Sequence, residues 1–391
     1  MLKIEKIIPG GQALATLENG KKIFLWNALP GETILEYQIT KNKSSYAEGV
    51  ATKIKQSSPL RTEPKDACFL STSPWQIMNY DYELSQKQNL VVEVFREHQI
   101  IIQKPEIITD NKEYYYRNKM EYSLYWNHEK NKIELAFHHR GSHRKIPIGS
   151  SSIERPEIFN AAKTIIDDLN KKGEEARKYQ SLLLRCNQKG EVSGGLYENH
   201  KPHPIFENLT DNILGKEYSY SPNGFFQINL PVYELALKEI KKHITTEKVL
   251  DLYAGVGTIG LSVASDKSLT LVEIDKSAFR ELVENCTMLS NTFDIFREKQ
   301  LRAVLDKSEN VLKYVEPDST VILDPPRAGC DKKLIDRLNE VKPKTIIYLS
   351  CNPATQARDI KLLLDNYKID TIKTFNFFPH TPHIENLVVL C

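Results

Sequence analysis

The chain has 391 residues, 40% of them hydrophobic and 27% charged, with a formal net charge of +2 at pH 7. This is the make-up of a globular protein of two or three domains; no apolar run nears the roughly 20 residues that span a bilayer, and the first residues lack a signal-peptide core, so a cytoplasmic protein without a membrane partner is expected. The six cysteines are scattered with no CxxC pair, which signals neither a disulfide framework nor a sequence-local zinc site.

Residues 1–56 read as a small all-β module. Leu14-Ala-Thr-Leu17, Lys22-Ile-Phe-Leu-Trp26, residues 33–39 and residues 47–54 are strand-like, separated by Gly10-Gly11, Asn19-Gly20 and Pro30-Gly31. Short strands closed by such turns predict an OB-like barrel, a fold able to bind oligonucleotides. Apolar positions Leu84, Leu90, Val94 and Phe95 predict a helix from Tyr80 to about His98. Residues 113–205 return to strand patterning, with a helix predicted from Arg155 to about Tyr179. After about Leu214, runs such as Lys248-Val-Leu-Asp-Leu-Tyr253 and Thr345-Ile-Ile-Tyr-Leu349 alternate with helical stretches, the pattern of a doubly wound, mostly parallel sheet.

Charge is uneven along this order. Residues 1–65 hold ten Lys/Arg against six Asp/Glu, and residues 112–145 hold eight against four, with His128, His138, His139, His143 and an aromatic series around Tyr114, Tyr115 and Tyr116. Basic and aromatic residues interleaved in this way fit phosphate neutralisation and base stacking, and equally fit solvated strand faces over an aromatic core.

Three motifs carry chemistry. Strand 249–253 runs into Gly255-Val-Gly257-Thr258-Ile-Gly260 and a helix beginning near Ile259, a turn that lets the backbone approach a nucleotide cofactor; Glu273, at the end of the next strand, is placed for ribose hydroxyls. The loop fits NAD as well as S-adenosylmethionine. Asp324-Pro325-Pro326-Arg327 follows another strand, its prolines fixing the carboxylate in the crevice, and Arg327 stands where amino-directed methyltransferases place an aromatic residue. Finally, Leu349-Ser-Cys351-Asn-Pro353 sets a thiol at a strand end, and His383-Ile-Glu385 offers an acid/base. Methylation of uracil at C5 needs that pair: a thiolate added to C6 makes C5 nucleophilic, and a base must later remove the C5 proton.

With these residues assembled, the chain resembles the RNA uracil-C5 methyltransferases of ribosomal and transfer RNA. Gly10-Gly-Gln-Ala-Leu-Ala15 and Ala28-Leu-Pro-Gly-Glu32 look like the family's TRAM barrel, and Tyr116-Arg117-Asn-Lys119 with Leu135-Ala-Phe-His-His-Arg-Gly-Ser142 like its central β domain. The resemblance implies a TRAM barrel over 1–56, a central β-rich RNA-binding domain over 57–213 and a Rossmann-like methyltransferase domain over 214–391, with a helix near 81–110 packing on the last. It implies cofactor contacts from Gln227, of Phe225-Phe226-Gln227-Ile-Asn229, and from Tyr253, Gly255, Gly257, Thr258, Glu273 and Asp324. Cys351 would be the nucleophile and Glu385 the proton acceptor.

Three departures are visible. Thr258 stands where tRNA-directed members commonly carry Asn. Of the four cysteines that hold an iron–sulfur cluster in many TRAM-bearing members only Cys68 remains, with Ser151 where the distant fourth might be expected, so no cluster and no other metal is expected. No acid is assigned after the third strand, because Phe296-Arg-Glu-Lys-Gln300 is no obvious match. The expectation is therefore a monomeric enzyme that flips out a uridine and methylates it through a covalent Cys351–C6 adduct, in 23S ribosomal RNA by preference, since bacterial tRNA-specific members usually lack the barrel. The alternatives are the same reaction on tRNA, an NAD-type oxidoreductase, and a non-catalytic RNA-binding protein.

Overall fold

A computed structural model describes residues 1–142, 144–203, 206–292 and 300–391. His143 and most of the Phe296-Arg-Glu-Lys-Gln300 stretch lie outside the described residues.

Five strands, Leu2–Ile7, Ala13–Thr16, Lys22–Trp26, Thr33–Asn42 and Tyr46–Gln56, close a barrel. Its interior is filled by alternating Leu2, Ile4, Ala13, Ala15, Ile23 and Leu25, and the small alanines allow tight closure. Four of the strands follow the sequence reading. The first was not foreseen, because a register shift between Ile4 and Lys6 breaks its period of two, leaving Glu5 and Lys6 both outward.

The helix Tyr80–Glu97 starts on an Asn79 cap, whose Oδ1 accepts from Tyr82 N at 2.8 Å. It ends at Glu97 with His98 as its cap, as the residue pattern predicts, and short of the 110 that the resemblance implies: Gln99 takes a left-handed φ of 61°, and Glu106–Ile108 is a strand. The predicted helix from 155 to 179 likewise stops at Lys171, where Gly173 at φ 66° breaks it. That helix packs on a six-stranded sheet spanning Lys119–Asn127 to Lys201–His203.

The largest sheet runs Leu301–Leu305, Ser268–Glu273, Lys248–Leu252, Ser319–Leu323, Thr345–Ser350, Glu385–Leu390, Ile369–Phe375, Glu106–Ile108. The first five strands are mutually parallel and Glu385–Leu390 is antiparallel to both its neighbours. Strand order reverses beside Lys248–Leu252, which opens a crevice at its carboxyl end. One face packs Ile322, Ile347, Leu349, Leu387 and Val389 against the helix Leu230–Lys242 and the hairpin Leu209–Ile213/Lys216–Tyr220. The other packs Val321, Leu323, Ile346, Tyr348 and Val388 against Leu90, Val91, Val94 and Phe95 of the Tyr80–Glu97 helix. That helix, early in the chain, thus belongs to the core of the largest sheet. Among the described residues no helix is long and apolar enough to cross a membrane.

Candidate active site

Strand Lys248–Leu252 ends in a loop whose backbone enters left-handed space at Tyr253 (φ 65°), Gly255 (56°) and Gly257 (89°) before the helix Thr258–Val263. A Cβ on Gly255 would meet open space, so this is the side on which a ligand can touch the backbone; one on Gly257 would lie 2.5 Å from Leu282 Cδ1, so Gly257 serves close packing. Glu273 Oε2 accepts from Gly255 N at 2.8 Å, and its Oε1 accepts from Ile274 N and Asp275 N. The carboxylate therefore holds the loop from behind.

Gln227, Tyr253, Gly255, Thr258 and Asp324 line one cleft with Phe225 and Tyr233, while Gly257 and Glu273 stand outside that lining. The Gln227 segment is set by the central sheet: Asn118 Nδ2 donates to Gln227 O at 3.2 Å and Lys119 Nζ to Gly224 O at 3.0 Å, with Arg185 bonded to Phe226 O at 2.5 Å. Lys119 is thereby engaged in holding backbone, and Tyr122 is core, so part of the basic-aromatic stretch is structural. Arg140, by contrast, stacks 4.3 Å from the Trp26 ring and ties the barrel to the central sheet.

Two acids in this region had no assigned role. Asp251 is fully buried, its carboxyl pushed up to about 8 chiefly by burial, and its Oδ2 accepts from Gly260 N at 2.8 Å, fixing the start of the helix. Asp306 directly follows the third strand, Leu301–Leu305, and its N donates to Glu273 O at 3.1 Å. The signal was present in the sequence, but the short, half-exposed edge strand before it is not strongly patterned.

Strand register brings the proposed nucleophile and base together. Thr345–Ser350 and Glu385–Leu390 pair antiparallel up to Ser350↔Asn386, so Cys351 and Glu385, the neighbours of that last pair, come to the same end of the ladder. Asp324, one residue beyond strand Ser319–Leu323, is near enough to act on both Cys351 and Glu385. Burial, reinforced by Asp324, pushes Glu385 well above the usual carboxylate range, and burial pushes Asp324 up to about 7. The Cys351 thiol is pushed up to about 11 by burial first and then by Glu385 and Asp324, with Arg327 acting in the opposite direction. His383, lowered to about 4 by burial and the Arg327 cation, is neutral at pH 7 and accepts from Arg327 Nη2 at 3.4 Å.

Cys351, Arg327 and His383 open into a groove of about 320 Å³ walled by Leu90 and Val94 of the long helix and by Pro9 and Gly10 of the barrel. The barrel seats directly on the active-site loop. Trp75 Nε1 donates to Gly11 O at 3.0 Å, and a Cβ on Gly11 would lie 2.2 Å from Pro382 Cβ. With φ at 93° as well, Gly11→Ala is expected to cost about 1–3 kcal/mol, read as a lowered midpoint in thermal unfolding.

Cys68 is buried, with its thiol pushed up to about 11 chiefly by burial, and donates to Ser150 O at 3.7 Å. Around it the buried Asp66 carboxylate accepts from Ser152 N at 2.9 Å, Gln76 Nε2 at 2.9 Å and Ser151 Oγ at 3.3 Å. Segment 66–76 is thus joined to loop 150–152 by a carboxylate-centred network.

Residues 205–391 match the family model described as tRNA (uracil-5-)-methyltransferase. The chain is 27% identical to an uncharacterized RNA methyltransferase of Bacillus anthracis, over 94% of this chain and 91% of that one. It is 29% identical to another of Enterococcus faecalis, over 94% and 92%. Among solved structures, the Pyrococcus abyssi tRNA (uracil-54, C5)-methyltransferase in complex with S-adenosyl-L-homocysteine superposes with a TM-score of 0.76 at 25% identity, each chain covered completely. Over residues 205–391, and on the sheet and loops that carry this site, the chain is thus similar to tRNA (uracil-5-)-methyltransferases, and along nearly its whole length to RNA methyltransferases.

Proposed function

We propose that the protein methylates C5 of a uridine in RNA through a covalent adduct between Cys351 and C6. The carrying observation is that Cys351 and Glu385 adjoin the same end of one strand pair, beside Ser350↔Asn386, with Asp324 near enough to act on both and Cys351 at the lip of a groove reached from the barrel. S-adenosylmethionine would be held at the neighbouring cleft, where the open side of Gly255 permits close approach and Gln227, Tyr253, Thr258 and Asp324 offer polar contacts, with Glu273 bracing the loop. When bound, that cofactor supplies the electrophilic methyl group.

Cys351 Sγ bonds to C6 and the C5=C6 π electrons move into an enolate, which makes C5 a nucleophile. Once C5 carries the methyl, Glu385 takes its remaining proton; the C–H pair re-forms C5=C6, the C6–S bond breaks, and Cys351 leaves as the thiolate. Glu385 must be ionised to take this proton; its raised pKa makes the carboxylate a stronger base once ionised and makes proton removal faster as pH rises. Arg327 is the cation nearest this exchange and favours the thiolate each time it appears.

The barrel favours a ribosomal RNA target in this reading. A transfer RNA target is the second reading, because the Pyrococcus abyssi enzyme that this chain matches along its full length carries a tRNA substrate in its name. Mass-spectrometric mapping of 5-methyluridine in ribosomal and transfer RNA, from cells with and without the gene, separates them. The expected result is one 5-methyluridine lost from 23S ribosomal RNA; loss from tRNA alone selects the second reading, and loss from neither removes both.

A further inference from the structure

We infer that Glu83 and Lys87, on the helix Tyr80–Glu97, are positioning residues for Glu385, acting through the loop 376–384 that delivers it. The inference rests on the proposed reaction and adds to it two residues far away in sequence. Their side chains form an ion pair at 2.8 Å with no solvent exposure at all. A buried pair of this kind is seldom worth more than an apolar filling would be, so its use lies in the bonds it directs. Both carboxylate oxygens of Glu83 accept from His380 N, at 3.0 and 2.9 Å. Lys87 Nζ donates to Asn376 Oδ1 at 2.6 Å and to Phe378 O at 3.0 Å.

These bonds hold a loop that would not keep its shape unaided. His380 sits at φ 60°, a left-handed conformation unfavourable for a non-glycine residue. Further bonds converge on the same segment: Asn229 Nδ2 to Phe377 O at 3.1 Å, Tyr116 Oη to Pro379 O at 2.9 Å, and Trp75 N to His380 O at 3.0 Å. The loop closes at Glu385, whose strand partner is Phe375. Fixing residues 376–380 therefore fixes where the base begins. Proton abstraction demands this accuracy, since a misplacement of 1 Å can cost about a hundredfold in rate.

The test separates the base step from the steps before it. Full-length wild type and the Glu83→Gln/Lys87→Met double variant, which keeps volume and removes both charges, are incubated with S-adenosylmethionine and transcripts of 23S ribosomal RNA and tRNA. Each transcript is used with uridine and with 5-fluorouridine, where C5 has no proton to lose and the adduct is trapped. For the variant we expect the adduct to form on 5-fluorouridine RNA within about threefold of the wild-type rate, while turnover on uridine RNA falls at least about tenfold and covalent complex accumulates. Tyr116→Phe, which removes one hydroxyl from the same loop, is expected to show the same split more weakly and answers the question if the double variant does not fold. Turnover that is unchanged, or that falls only in step with adduct formation, overturns the positioning role. Absence of any adduct with wild type overturns the proposed reaction itself, a separately visible outcome.

Discussion

Cys351→Ala is expected to reduce methyl transfer to RNA on the order of 10⁴-fold or more, and to eliminate the covalent complex with 5-fluorouridine RNA. Every step of the reaction after binding depends on the bond from sulfur to C6, because C5 of an unmodified uracil is too weak a nucleophile. Folding should be nearly untouched: Cys351 lies half-buried at a strand tip, and truncating such a residue removes one atom from the mouth of a groove. Radiolabelled methyl incorporation and a denaturing gel of the adduct measure both effects. An oxidoreductase built on the same glycine loop, or an RNA-binding protein without catalysis, predicts an unchanged variant.

The pH profile follows from the same geometry. With the thiol pushed up to about 11, its thiolate share grows about tenfold per pH unit below that value. Adduct formation on 5-fluorouridine RNA should therefore rise through the alkaline range. Arg327→Gln removes the cation opposing that shift and should move the rise to still higher pH.

How much of this was legible in the sequence depends on how local the signal is. The cofactor loop is written within one strand, one turn and one helix, so Gly255, Gly257 and the strand ahead of them could be read directly. Cys351 was marked by the strand before it and by Asn352-Pro353 after it, where Asn352 indeed caps the helix Pro353–Leu363. Glu385 was different. Its value lies in reaching the same end of the ladder as Cys351, and that comes from an antiparallel pairing between strands that the local pattern does not connect. The need for an acid/base and the His383-Ile-Glu385 motif, not periodicity, picked it out, and the resemblance agreed.

Glu83 and Lys87 were illegible for a related reason. Spaced four apart on a helix, they look like an ordinary solvent-facing pair, yet both are buried because a loop some three hundred residues later folds over them. Charge counting left two readings open for the 112–145 stretch, and for Lys119 the structural one holds: Lys119, with Arg185 from a neighbouring strand, spends donors on the carbonyls of residues 223–226. A basic side chain announces a charge in sequence, but only packing decides whether that charge meets solvent, phosphate or backbone.

Glu385→Gln is expected to stop the reaction at a later point than Cys351→Ala. Sulfur addition and methyl transfer do not use the Glu385 carboxylate, so they should proceed; removal of the C5 proton should not. The variant is expected to turn over about 10²–10⁴-fold more slowly and to accumulate, on ordinary uridine RNA, a covalent complex that already carries the methyl group. Wild type is expected to show such a complex only with 5-fluorouridine. Stability should move the other way from activity. Glu385 is 5% exposed, with a folded pKa well above its unfolded value of about 4.3, so the folded state keeps a proton that the unfolded chain releases. Below pH 4 both states are protonated and the group contributes nothing; as pH rises past that value the unfolded state gains by ionising, and the native protein loses stability until Glu385 itself ionises. Glutamine has no proton to lose. The melting temperature of Glu385→Gln should therefore match wild type at acid pH, where both states are protonated, and exceed it increasingly as pH rises above the unfolded value, a gain in stability at the same position where turnover is lost.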